Sequence, residues 1–232
     1  MSRTVVIHQP DFLPYLGFFH RFMQADLWVV LDCAQYVTGT SKSWQNRDII
    51  KTPQGERWLT VGVRKPKLGT AINEVLLADS PWREDNLNLI AANYRQAPYF
   101  REIMPLVEEL YTFPCEGLAE FNLRSIDLLL GCLDVAIERV AASSLQPAGK
   151  NNELVVDILN KTGSRRYLSG LGAKGYFEPE PFERAGIEVV WQEFHHPVYP
   201  QLHGDFIPYL SSIDLLFNCG KEQSGKIMRS TR

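Results

Sequence analysis

The sequence predicts an α/β protein built on a mostly parallel sheet with helices on both faces. Three observations carry that expectation. Short unbroken apolar runs, VVI at residues 5–7 and LWVVL at 27–31, are what strands buried on both faces look like. GFFHRFMQA (17–25) reads as a helix between them and completes a β-α-β unit. The last third of the chain returns to the same alternation of strand and helix, which is the pattern of a parallel sheet.

Each element follows in order. Residues 4–8 (TVVIH) and 27–32 (LWVVLD) are the first two strands, ending in His8-Gln9 and Asp32. Residues 44–63 divide into two short strands around Thr52-Pro53-Gln54-Gly55, a turn with Pro and Gly where turns want them, and INEVLL (72–77) continues the inserted hairpin. A helical middle segment runs over 81–133, where apolar residues recur at helical steps and Pro98, Pro105 and Pro114 mark starts or breaks. Then come a strand at 135–143, a helix at 151–163 closed by Gly163, a strand at 165–170, a loop and helix through ERAG, a strand at 187–194 and a short helix at 209–220. The whole is a Rossmann-like sheet with one domain over residues 1–220, followed by a flexible tail at 221–232.

Bulk properties agree with this and exclude several functions. The 232 residues are 45% hydrophobic and 22% charged, enough apolar surface for one core and too much for disorder. A net charge of -3 gives no global reason to bind nucleic acid. No run approaches the roughly 20 apolar residues that span a bilayer, and MSRTVVIHQP lacks the apolar core of a secretory signal, so a cytoplasmic protein is expected. Cys33, Cys115, Cys132 and Cys219 stand singly, which suits reduced structural thiols.

Four polar clusters fall at strand ends, where open α/β sheets hold ligands. The first is His8-Gln9-Pro10 with Tyr15 and His20; the second is Asp32 with Gln35; the third is Trp44-Gln45-Asn46-Arg47 with Lys42. The fourth joins Ser169-Gly170-Leu171-Gly172-Ala173-Lys174 to His195-His196, Tyr199 and Gln201. His8 and His195, with Asp32, are the expected proton-transfer groups. Gln9, Tyr15, Gln35, Asn46, Arg47, Ser169, Gly170, Gly172, Lys174, His196, Tyr199 and Gln201 are the expected substrate contacts. Arg47 offers a planar fork for a carboxylate or phosphate, and the glycines around Lys174 let backbone approach an anion. No metal is expected: neighbouring histidines on a strand face opposite ways, and zinc spacings are absent.

The order IHQPDFLPYLGFF, DLWVVLDCAQY, SWQNRDIIK, GERWLTVGV, YLSGLGAKGYF, HHPVYPQ and DFIPYLSSIDLLFNCG resembles the WbqC-like proteins of bacteria over residues 4 to about 220. That resemblance implies a role in surface polysaccharide (O-antigen) biosynthesis: transfer of glycine or another aminoacyl group to an amino sugar. It carries no family-wide catalytic assignment. The opening unit also resembles adenylyl-transferring enzymes of the nucleotidyltransferase type, but at Tyr15-Leu16-Gly17-Phe18 both histidines of their His-x-Gly-His sequence are missing. The leading expectation is an aminoacyl transferase acting on a sugar or nucleotide-sugar. Its acyl donor would be activated by ATP or delivered on a carrier protein or tRNA. The alternatives are a non-catalytic nucleotide-sugar or partner-binding module and an ATP-dependent adenylating enzyme.

Overall fold

The computed structural model describes residues 3–38 and 43–231, so Lys42 lies outside the described residues. Five parallel strands form the sheet: β1 (Thr4–His8), β2 (Leu27–Val30), β5 (Glu138–Ala141), β6 (Arg166–Ser169) and β7 (Glu188–Trp191). Their spatial order is β5-β2-β1-β6-β7. The chain therefore builds outward from β1 in one direction, then returns to build from β1 in the other. The reversal falls between β1 and β6, and crevices at such switch points are where doubly wound sheets hold ligands.

Side chains alternate between two faces, as strand geometry requires. Val5, Ile7, Leu27, Val29 and Tyr167 pack beneath α5 (Asn151–Lys161) and α6 (Pro179–Ala185). Val6, Trp28, Val30 and Leu168 face the larger layer, which holds α1 (Leu16–Phe22), α2 (Trp82–Tyr94), α3 (Phe100–Thr112), α4 (Leu118–Leu133) and α7 (Ser212–Arg229). The expected hairpin is present as β3 (Arg47–Thr52) and β4 (Gly55–Thr60), antiparallel and turning at Gly55 with φ +98. It packs into this same layer through Ile50 and Leu59.

Three local expectations fail for identifiable reasons. Residues 72–77 do not extend the hairpin: Ile72–Glu74 is a single 3-10 turn, because Ile72 and Val75 are drawn into the core beside α4. Pro105 does not break its helix, since α3 continues through it with Ile103, Met104, Val107 and Leu110 buried. Gly220 does not end the last helix, and residues 221–229 are no flexible tail. The backbone kinks at Gly220 (φ +72), where a Cβ would lie 2.4 Å from the Tyr99 ring, and the helix resumes to Arg229 with Met228 fully buried.

The loop between β1 and α1 is buried from Pro10 to Pro14. Its peptide groups have left water and need partners. Asn122 Nδ2 donates to Pro10 O (2.7 Å) and to Gln45 O (2.6 Å), Ser125 Oγ accepts from Leu13 N (3.2 Å), and Phe12 N donates to Trp44 O (3.1 Å). From the start of α7, Ser211 Oγ donates to Leu13 O (2.7 Å), and Ser212 Oγ to Pro14 O (2.6 Å). Replacing Asn122 with Ala orphans two buried carbonyls and should cost about 2–4 kcal/mol, as buried unsatisfied acceptors do. Urea unfolding reads this directly, and a loss below about 0.5 kcal/mol, the size of an ordinary surface substitution, would show the loop to be held elsewhere.

Candidate functional site

The loop and the carboxyl ends of β1, β6 and β7 enclose a cavity of about 470 Å³. His8, Asp11, Tyr15 and Arg21 line it from the first β-α unit, Trp44 and Asp48 from the hairpin, and Tyr167, Ser169, Gly170 and Gly172 from β6 and the turn after it. Gln192, Phe194 and Tyr209 close the far side. A second cavity of about 1000 Å³ shares His8, Asp11, Trp44, Tyr167, Ser169 and Tyr176 with the first, and extends over Gln9, Gln35, Gln45, Asn151 and Asn152. His8 and Asp11 stand where the two meet.

Local structure explains how each group arrives. His8 is the last residue of β1, edge-on to the Phe18 ring at 5.0 Å. Its Nδ1 lies 2.9 Å from Gln9 O, so the neutral ring donates there and keeps Nε2 as the unprotonated nitrogen. Asp11 Oδ2 is 3.6 Å from the same Nδ1. Tyr15 turns back over the helix start, since a Cβ at Gly17 would fall 2.3 Å from its ring. Gln192 Nε2 donates to Gly17 O (2.7 Å) and ties β7 to α1.

Burial sets the charges. The His8 pKa is pushed down to about 3 by desolvation and then by the Arg21 charge, so the ring is neutral at physiological pH. Desolvation raises the Asp11 carboxyl to about 7 against the pull of Arg21, and drives Asp48 well above its ordinary value. Burial likewise raises the Tyr15 phenol, which stays a donor. The Arg21 guanidinium, only 5% exposed, remains charged.

Of the residues expected from sequence, His8, Tyr15, Ser169, Gly170 and Gly172 line the first cavity, and Gln9 and Gln35 the second. The others fall outside both, each for a visible reason. Asp32 is a structural acceptor for Ser143 N (2.9 Å) and Oγ (2.6 Å). Asn46 donates to Val61 O (3.0 Å), and Arg47 lies over the Trp58 ring at 4.5 Å with Nε on Ser43 O. Lys174 is exposed over Trp191, 5.4 Å from the ring centroid. His195 is exposed away from the cleft, whereas His196 turns inward among Phe194, Tyr199, Phe206 and Tyr209. Tyr199 is buried in the core, and Gln201 bonds Ile207 and the buried Lys51 ammonium. His20 is also structural, bonded to Gln192 and Thr231 O.

Sequence reasoning missed Asp11, Arg21, Asp48, Tyr167 and Gln192. A signal existed for two of them. Arg21 is a lone cation inside the apolar helix LGFFHRF, all of whose residues are buried, and Asp48 shares a strand face with Ile50.

A family model, the WbqC-like protein family, matches residues 9–226. The chain belongs to the WbqC-like family. It is also 29% identical over 223 residues to the uncharacterized protein Rv1507c of Mycobacterium tuberculosis (strain ATCC 25618 / H37Rv), covering 95% of each chain. No solved structure matches significantly. For this WbqC-like chain, the pieces quoted from the sequence now divide by role. HQPD and SG bring groups to the cavities, whereas Ser211-x-x-Asp214 and the following Asn218 and Gly220 hold α7. All four cysteines are free thiols, and no helix is long and apolar enough to cross a membrane among the described residues.

The raised Asp11 pKa has a consequence for stability. Between about pH 4 and 7 the folded protein keeps a proton on Asp11 that the unfolded chain, with its ordinary value of 3.8, has released. Its contribution is fully present below that window and is lost as pH rises through about 7, so stability falls with pH there. Asp11→Asn should make the decline shallower without abolishing it, because Asp48 acts in the same sense. Denaturant unfolding across that range measures the slope; an unchanged slope would mean that Asp11 is ionised throughout.

Proposed function

We propose that the protein is a cytoplasmic transferase of surface-polysaccharide (O-antigen) biosynthesis, joining an aminoacyl group, glycyl in the simplest case, to the amine of a nucleotide-linked amino sugar. The observation that supports this reading best is a neutral histidine at a topological switch point, with its Nδ1 committed to a carbonyl and a carboxyl beside it. The free Nε2 can accept a proton, weakly while burial and Arg21 hold the ring's pKa at about 3 and more readily once Asp11 ionises beside it. His8 Nε2 takes the proton from the attacking amine as nitrogen bonds to the donor carbonyl. The tetrahedral intermediate then collapses, the bond from the carbonyl carbon to the AMP phosphate, carrier thiol or tRNA hydroxyl breaks, and the imidazolium returns its proton to that leaving group. The Tyr15 hydroxyl, kept protonated by burial, lines the same cavity as a donor to the developing oxyanion. Asp11, once ionised, stabilises the imidazolium that forms 3.6 Å away.

The two adjoining cavities give room for two substrates side by side. The acyl donor is activated by ATP or arrives on a carrier protein or tRNA. Family membership supports the polysaccharide context through the role that the resemblance implies.

Incubation with nucleotide-linked amino sugars and activated amino acids, read by mass spectrometry, should yield the N-aminoacyl product. His8→Ala, with unchanged circular dichroism, should lower the rate by about 10²–10⁴, the range for loss of a general base. The rate should rise with pH through about 7 as Asp11 ionises, and that limb should vanish in Asp11→Asn. Tight binding of a nucleotide sugar with no product from any donor would assign the cleft to binding alone.

A further inference from the structure

We infer that Arg21 is an anion-binding centre, and that one ligand of the cleft carries a carboxylate or phosphate group seated on its guanidinium. Arg21 is 5% exposed and lines the smaller cavity. Its Nε is buried without a partner, and its guanidinium makes neither hydrogen bond nor ion pair among the described residues. Its Cζ lies 5.7 Å from the Phe18 ring centroid. A buried cation without a counterion is costly to a fold, and such costs are retained where a site needs them.

The surroundings select an anion. Asp11 and Asp48 line the same wall but form no salt bridge with Arg21, and burial favours the neutral form of both. Below about pH 7, where Asp11 keeps its proton, the cavity therefore presents a positive charge that its own carboxyls do not cancel. Gly170 leaves room for the guanidinium: a Cβ there would lie 2.5 Å from Nη1. A planar fork with two free Nη groups matches a carboxylate or a phosphate in bidentate geometry. The larger cavity, lined by the side-chain amides of Gln9, Gln35 and Asn152, suits the other, neutral polar substrate, so that the two meet at His8.

The inference deepens the reading of the cleft as a transfer site, but its test is equilibrium binding and does not depend on turnover. Thermal unfolding of the full chain is followed against inorganic phosphate and, separately, acetate, with matched chloride as control. One or both anions should raise the midpoint of the wild-type protein in a concentration-dependent way. Which one does so separates a phosphorylated ligand from a carboxylic acid. Arg21→Met should abolish that response and, by removing an uncompensated charge, raise the midpoint measured without anion. Gly170→Ala provides a test if Arg21→Met folds poorly. The clash falls on the movable end of Arg21, so the fold should persist while affinity for the responding anion drops about tenfold or more, as loss of a charge-assisted hydrogen bond does. A wild-type protein unresponsive to both anions, or an Arg21→Met or Gly170→Ala protein that responds as the wild type does, overturns the inference.

Discussion

Everything at the centre of this molecule depends on keeping five buried residues of irregular backbone, Pro10 to Pro14, out of water with their peptide groups satisfied. A loop in that position cannot use a ladder of its own. Its carbonyls and amides are met instead by Asn122 and Ser125 from α4, by Trp44 from the approach to the hairpin, and by Ser211 and Ser212 from α7. Elements separated by up to 198 residues in the chain thus converge on one loop. Leu13 adopts a positive φ of 41 there, a conformation that a branched side chain accepts only when its surroundings enforce it. The same convergence gives the cleft its walls, because His8 and Asp11 flank the loop's start and Tyr15 its end.

A second buried network secures the opposite side. Tyr94 donates to Asp214 (2.8 Å) and accepts from Lys51 N (3.2 Å), while the Lys51 ammonium is received by Gln201, Gly204 O and Asp205 O. Here a buried cation is fully met by oxygen atoms, as low dielectric demands. Arg21 is the contrast within the same protein. Lys51 is buried and satisfied; Arg21 is buried and unsatisfied. The difference separates a cation that holds the fold from one that waits in a cleft.

The cleft's electrostatics also follow from burial rather than from residue type. Histidine in water titrates near neutrality and aspartate well below it. Here desolvation reverses the order: His8 is driven to about 3 and Asp11 to about 7. The group that changes charge near neutral pH is then the carboxyl, although the sequence offers the imidazole as the obvious switch. The exchange arises because burial disfavours the charged form of both groups, with Arg21 adding to that effect at His8 and opposing it at Asp11.

The fold class was legible in the sequence because unbroken apolar strands and helix-spaced apolar residues are local signals, and VVI, LWVV and the 151–163 helix kept their identities. His8-Gln9, Tyr15 and Ser169-Gly170 were legible as site residues for a related reason: polar groups at the carboxyl end of a buried strand face the crevice wherever the sheet is parallel. What only the tertiary structure decided was which strand ends adjoin. Asp32 follows β2, next to β5, and there it meets Ser143 rather than the cleft. Arg47, Lys174 and His195 were attractive as charged or titratable groups beside turns, yet each points outward or stacks on an aromatic ring. Arg21 stands out in the sequence as a single cation inside an apolar helix, but that anomaly by itself has no functional meaning. It acquires one only when β6 brings Gly170 against it, and strand order is a property of long-range pairing that residue patterns along the chain do not encode.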